Sequence, residues 1–153
     1  MCGGCAGATF SAPVPRPCFI NIIVGKVEGL AMLSLALFAK APILGRTKTR
    51  LQGALGSEGA LAVHCELVEY ALTQLSLVRR KSRIRVELWA SAEHPLAEQW
   101  AQAFEMPLRI QFGDDLGARM HHALQDQLSR GAEYALVMGC DCPPLDENYL
   151  SWV

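Results

Sequence analysis

Two short runs constrain this chain more than anything else in it. Leu33-Ser34-Leu35-Ala36-Leu37-Phe38-Ala39 and Tyr134-Ala135-Leu136-Val137-Met138-Gly139 are apolar at nearly every position. Neither alternates as a strand with one wet face would. Continuous apolar runs of this length, bounded by turn residues, are strands buried on both faces, and such strands belong to parallel sheets covered by helices.

The sequence between them alternates accordingly. Ser57 can cap a helix, with Glu58 favourable in its first turn, and over about 58–78 Leu61, Val68, Ala71, Leu72 and Leu75 fall on one stripe. Residues 83–90 read as a second strand. Pro95 suits the first turn of the next helix, where Leu96, Trp100 and Phe104 recur every four residues. Residues 108–112 read as a third strand. Asp115 can cap a third helix carrying Leu116, Met120, Leu124 and Leu128, and Gly131 closes it. The 134–139 strand is the fourth. Strand–helix alternation of this kind implies an α/β fold with a mostly parallel sheet and helices on both faces. At 153 residues the chain suffices for one domain with a substantial core.

We expect the regular domain to span 32–153. Residues 1–31, rich in Gly, Pro, Ala and Cys, read as a poorly ordered extension outside the core, with 19–29 at most a stray β segment. The run 29–39 is too short for a transmembrane helix, and its distance from the N-terminus argues against a signal peptide. We expect no membrane association. Six cysteines accompany a large aliphatic core, and the C-x-x-C of Cys2 and Cys5 has no second pair at zinc spacing, which points to reduced thiols and a cytoplasmic protein.

The formal net charge is −1, so the broad basic field of a nucleic-acid binder is absent and no nucleic-acid partner is expected. Any anion site must be local. Lys40, Arg46, Lys48 and Arg50 fall within the segment that follows the 33–39 strand, and no Asp or Glu occurs between Glu28 and Glu58. Pro42 and Gly45 force this segment to turn, and Thr47 and Thr49 add hydroxyls. Uncompensated cations on one loop make either a solvated basic turn or a phosphate cradle, in which lysine supplies a point charge and arginine a planar fork. The spacing is neither that of a Walker A loop nor G-x-G-x-x-G.

Asp141 follows the 134–139 strand, between Cys140 and Cys142, with Pro143 and Pro144 stiffening the turn. An acid there suits Mg²⁺, which takes one or two carboxylates and substrate phosphates; the alternatives are a cap or a salt bridge to a loop cation. In Gly113-Asp114-Asp115-Leu116-Gly117-Ala118-Arg119-Met120, Asp115 reads first as a helix cap, Gly117 lets a ligand approach the helix start, and Arg119 can face the site edge. His121 and His122 read as surface residues, His94 as a cap and His64 as a half-buried helix residue. Because ligands of parallel sheets bind at the carboxyl ends of the strands, all three motifs are expected at one sheet edge.

Together, "FAKAPILGRTKTRL", "GDDLGARM" and "VMGCDCPPL" resemble the bacterial DUF2064 family, also labelled an arsenosugar-biosynthesis-type glycosyltransferase. The family looks like a branch of the nucleotide-diphospho-sugar transferase (GT-A) superfamily. The resemblance implies a Rossmann-like three-layer α/β/α sandwich. It places Lys40, Gly45, Arg46, Lys48, Arg50, Asp115, Gly117 and Arg119 at the nucleotide and gives Lys48 and Arg50 the catalytic charge stabilisation. Asp141 would hold Mg²⁺ or Mn²⁺. The substrate implied is a nucleotide or nucleotide-sugar, with an unknown small-molecule acceptor. Nucleotidyl transfer of the cofactor-guanylyltransferase kind, or nucleotide binding without catalysis, are the other readings. Relatives of this type continue further, so we expect a C-terminal truncation and, from an unpaired sheet edge, a tendency to homo-oligomerise.

Overall fold

The computed structural model describes residues 20–24, 32–81 and 84–141. Among these residues five strands form one sheet in the order β1-β5-β2-β3-β4. They are β1 (Ile20–Val24), β2 (Leu33–Ala39), β3 (Ile84–Ala90), β4 (Leu108–Ile110) and β5 (Tyr134–Gly139). β2, β3, β4 and β5 run parallel, and β1 pairs antiparallel with β5, Ile20 opposite Met138. The helices are α1 (Gln52–Lys81), α2 (Pro95–Ala103) and α3 (Leu116–Ser129). Among the described residues no helix is long and apolar enough to cross a membrane.

The apolar runs behave as their composition requires. Along β2, Leu35, Leu37 and Ala39 join one core with Val68, Leu72 and Leu75 of α1 and Trp100 of α2. Ala36 and Phe38, on the opposite face, pack with Ala123 and Leu124 of α3. Successive side chains of a strand point to opposite faces, so a strand between two helical layers is apolar at nearly every position. β5 divides likewise, Leu136 and Met138 to one side and Ala135 and Val137 to the other. The result is the expected three-layer α/β/α sandwich with a mostly parallel sheet.

Several local features differ from expectation. Residues 20–24, which the sequence led us to set outside the core, pair with β5 in the same sheet. The neighbour on β5's outer side meets the backbone hydrogen bonds that a bare four-stranded sheet would leave open there. The described edge opposite β1 is β4. Helix α1 begins earlier than the apolar stripe does. It is two helical pieces joined at Gly56, whose φ of 70° and ψ of 174° interrupt the spiral at no steric cost to glycine. The strand expected over 108–112, β4, ends at Ile110; Gln111 makes a last backbone bond to Ala90 at 2.9 Å and Phe112 then stands exposed.

The caps follow the sequence closely. His94 Nδ1 accepts from the Leu96 amide at 3.2 Å, and Asp115 Oδ1 from the Ala118 amide at 2.7 Å. At the end of α3, the Gly131 amide bonds Leu128 O at 3.0 Å and the Ala132 amide bonds Gln127 O at 3.1 Å, the paired bonds of a Schellman motif.

The chain passes from β2 through α1 to β3 and through α2 to β4 on one side. It then crosses the opposite face through α3 to reach β5 on the other side of β2. The strand order therefore reverses between β2 and β5. In open α/β sheets the crevice at the carboxyl ends of such a pair is where ligands bind.

Candidate functional site

That crevice brings together the loop after β2 and the turn after β5. Phe38 lies opposite Gly139, and the Cys140 amide bonds Phe38 O at 3.3 Å, so Lys40 and Asp141 leave the sheet side by side. Beyond Lys40 the chain buries Ala41 and Pro42, then exposes Leu44, Gly45 and Arg46. Arg46 N bonds Ile43 O at 3.0 Å, which closes a tight turn. The turn delivers Lys48 back to the crevice in a left-handed conformation, φ 46° and ψ 42°. Its ammonium forms an ion pair with Asp141 Oδ1.

The local electrostatics follow from these contacts. Burial would raise the Asp141 carboxyl, but the hydrogen bond and charge of Lys48, the Cys140 thiol and the nearby His64 together hold it below the usual carboxylate range. Cys140, buried in the core layer beneath, is pushed up to about 12 by its burial and by the negative charge of Asp141. It is therefore a thiol, and its Sγ donates to Asp141 Oδ1 at 3.4 Å. Oδ1 takes both contacts. Among the described residues Oδ2 has no partner, and the Asp141 side chain is 60% exposed.

Among the described residues Lys40, Arg46 and Arg50 have no carboxylate partner and are exposed, Lys40 at the exit of β2 and the two arginines on the same loop as Lys48. The Thr47 hydroxyl is buried without a hydrogen-bond partner. The loop thus carries four cations, of which Lys48 meets Asp141 at the reversal of strand order.

His64 belongs to this site. It is only 2% exposed, more buried than its isolated position suggested, and its Nε2 lies 2.9 Å from Lys40 O. Burial first, then the charges of Lys48 and Lys40, lower its pKa and favour the neutral ring. The signal was present: His64 stands four and seven residues before Val68 and Ala71, on the apolar stripe.

The 113–119 residues have partners of their own. Asp115 caps α3, Gly117 lies in its first turn, and Arg119 Nε donates to Gly113 O at 2.9 Å. Among the described contacts none joins Asp115, Gly117 or Arg119 to the cationic loop. The link is Gln111, whose amide donates to Ala39 O at 3.3 Å and Trp89 O at 2.7 Å, across the carboxyl ends of β2 and β3. The tightest backbone approach falls at Gly113, while a Cβ at Gly117 would meet Asp115 Oδ1 at 3.2 Å. Gly113 has φ 143°, and a Cβ there would stand 2.8 Å from the Arg119 nitrogen. Gly113→Ala is expected to cost about 1–3 kcal/mol and to loosen the start of α3, as urea unfolding and amide exchange would register. His121 and His122 are exposed, and His122 stands against Phe112 at 5.5 Å between ring centroids. Cys65 and Cys140 are free thiols.

Among the described residues no group of three or more His, Cys, Asp or Glu side chains forms a ready-made metal site. A single ionised carboxylate with one open oxygen does suit an ion that completes its shell with phosphate oxygens and water.

The family of uncharacterized proteins conserved in bacteria, DUF2064, matches residues 74–152, just over half of the chain. The chain belongs to the DUF2064 family. The match takes in β3 to the Asp141 turn and begins after the cationic loop. Among solved structures, this DUF2064 chain is similar to a protein from Desulfovibrio desulfuricans G20, provisionally named as a nucleotide-diphospho-sugar transferase. The two share 23% identity with a TM-score of 0.62, over 78% of this chain. The likeness is one of fold, and this chain spans 51% of that protein's length. Among curated proteins none matches.

Proposed function

We propose that this chain is the nucleotide-binding part of a transferase that uses a nucleotide-sugar donor, with the β2–β5 edge as its phosphate site. One observation carries the reading: Lys48, held in a left-handed conformation, pairs with Asp141 where the strand order reverses, on a loop that also carries exposed Lys40, Arg46 and Arg50. A left-handed lysine costs about 1 kcal/mol or more, and strain of this kind concentrates at functional sites. The provisional name of the Desulfovibrio desulfuricans protein, whose fold this chain shares, agrees with a nucleotide-sugar ligand.

In this reading Lys48 and Arg50 grip the phosphates, and Lys40 and Arg46 add positive potential. As the leaving phosphate gains charge, the preorganised cations stabilise it, usually the largest catalytic contribution at such sites. Lys48 exchanges Asp141 for phosphate, and the freed carboxylate faces the ligand. Asp141 would hold Mg²⁺ or Mn²⁺, which when bound supplies positive charge beside the phosphates. Asp115 and Arg119 keep the α3 start and the 111–114 loop in shape beside the site. Gly117 leaves the first turn of α3 open to approach.

Calorimetric titration of the full chain with uridine diphosphate, guanosine diphosphate and inorganic pyrophosphate tests the proposal. Binding of at least one is expected, and failure of all three would overturn it. Asp141→Asn adds a sharper arm. It removes the competitor for Lys48, so binding without metal should tighten, while the gain on adding Mg²⁺ should vanish. A variant with the parent's magnesium response would show that Asp141 is not the ligand.

A further inference from the structure

The peptide unit between Lys40 and Ala41 is gripped from both sides. Its carbonyl, Lys40 O, lies 2.9 Å from His64 Nε2 on α1. Its amide, Ala41 N, donates to Ser91 Oγ at 2.9 Å, in the loop after β3. In a trans peptide the C=O and N–H point in opposite directions, so partners on opposite sides fix the plane against rotation about the chain. The residue before is fixed too: Ala39 O accepts from Ser91 N at 3.0 Å and from the Gln111 amide at 3.3 Å. The cationic loop begins at the gripped peptide, and its own backbone bonds are local, Ile43 N to Ala41 O and Arg46 N to Ile43 O.

We infer that His64 is a positioning residue of the phosphate site: through the Lys40 carbonyl it orients the peptide from which the cationic loop is hung. A carbonyl oxygen only accepts, so Nε2 carries the proton and donates. His64 reaches Lys40 from α1, its ring nearly inaccessible to solvent. An aliphatic residue would serve packing equally at this place on the α1 stripe. The hydrogen bond, 24 residues across the sequence, is what packing alone does not explain. Without it the Lys40–Ala41 plane is held by Ser91 alone, and Lys40 and Lys48 lose their common frame.

The inference rests on the phosphate reading of the loop, and the experiment separates the two. Inorganic pyrophosphate is titrated into the full parent chain, His64→Leu, His64→Gln and Lys48→Ala. Leucine keeps the volume and removes the donor, and glutamine restores an N–H at similar reach. Pyrophosphate affinity is expected to fall about tenfold in His64→Leu and to stay within about threefold of the parent in His64→Gln. Hydrogen exchange at Ala41, Ile43 and Arg46 should quicken in His64→Leu and not in His64→Gln. A parent that binds no pyrophosphate would overturn the phosphate reading and this inference with it. A parent that binds, loses affinity in Lys48→Ala and keeps it in His64→Leu would overturn the inference alone. Equal weakness of the glutamine and leucine variants would do the same, since the effect would then be one of packing. If His64→Leu does not fold, His64→Gln decides: retained affinity with unchanged loop exchange supports the role, and loss of both overturns it.

Discussion

Replacing Arg130 with methionine is expected to destabilise the fold by about 3–5 kcal/mol at neutral pH, the usual result of stranding one partner of a buried ion pair. Glu87, in the middle of β3 and 1% exposed, takes Arg130 through both carboxylate oxygens, at 2.5 and 2.7 Å. Trp89 Nε1 adds a donor at 3.2 Å, and Asp126 braces the guanidinium at 2.9 Å. Burial would raise the Glu87 carboxyl, and Arg130 with Trp89 holds it below the ordinary range. A carboxyl depressed in the folded state stabilises above its unfolded pKa, roughly 4.3, and that contribution disappears as pH falls through the lower folded value. In Arg130→Met the burial effect, the largest of the causes, is opposed only by the Trp89 bond and the Arg109 charge and is expected to raise the carboxyl, so stability should rise as pH drops from 7 toward 5. The slope against pH is therefore opposite in sign to the parent's. Urea unfolding at pH 7 and pH 5 measures both quantities. The double substitution Glu87→Gln, Arg130→Met should recover most of the loss, because no buried charge remains. Equal urea midpoints for the parent and Arg130→Met at pH 7 would remove the pair from the list of stabilising contacts.

The double variant Lys48→Glu, Arg50→Glu is expected to lose phosphate binding almost completely. A hydrogen bond to a charged group contributes about 1.5–3 kcal/mol, so two lost contacts lower affinity by a factor on the order of 10² or more. The reversed charge at position 48 would face Asp141 in place of the present ion pair, so repulsion of the anion adds to the loss. Calorimetry with pyrophosphate at low salt reads the effect directly. Raising the ionic strength should weaken the parent's binding and change the variant's little, since exposed charges are screened within about 10 Å at 0.1 M salt. Unchanged affinity in the double variant would end the phosphate reading of the loop.

Local sequence carried the layers of the fold. Val68, Leu72 and Leu75 recur at helical spacing, and all three are buried where that spacing puts them. The 33–39 and 134–139 runs are apolar on both faces and lie between two helical layers. Caps at His94 and Asp115 and the close at Gly131 were legible because each depends on neighbours within a few residues. The cationic loop and Asp141 were legible as candidates for a related reason. A run of cations without acids, and an acid at the end of a buried strand, are conspicuous in one dimension.

Tertiary structure decided which of these meet. Placing β5 beside β2 depends on α3 crossing the opposite face from α1 and α2, and no periodicity encodes that choice. It set Asp141 against Lys48 and not Arg50, while Asp115 and Arg119 found partners of their own at the start of α3. Glu87 and Arg130 stand 43 residues apart, and nothing in the sequence marks them as partners; the fold brings the Arg130 guanidinium at the end of α3 onto buried Glu87 of β3. His64 read as one more helix residue until the exit of β2 brought the Lys40 carbonyl to its ring. Hydrophobic periodicity specifies which face of an element is buried, whereas a hydrogen bond or ion pair needs a particular partner at a particular place. Only the assembled sheet and its crossovers supply that place.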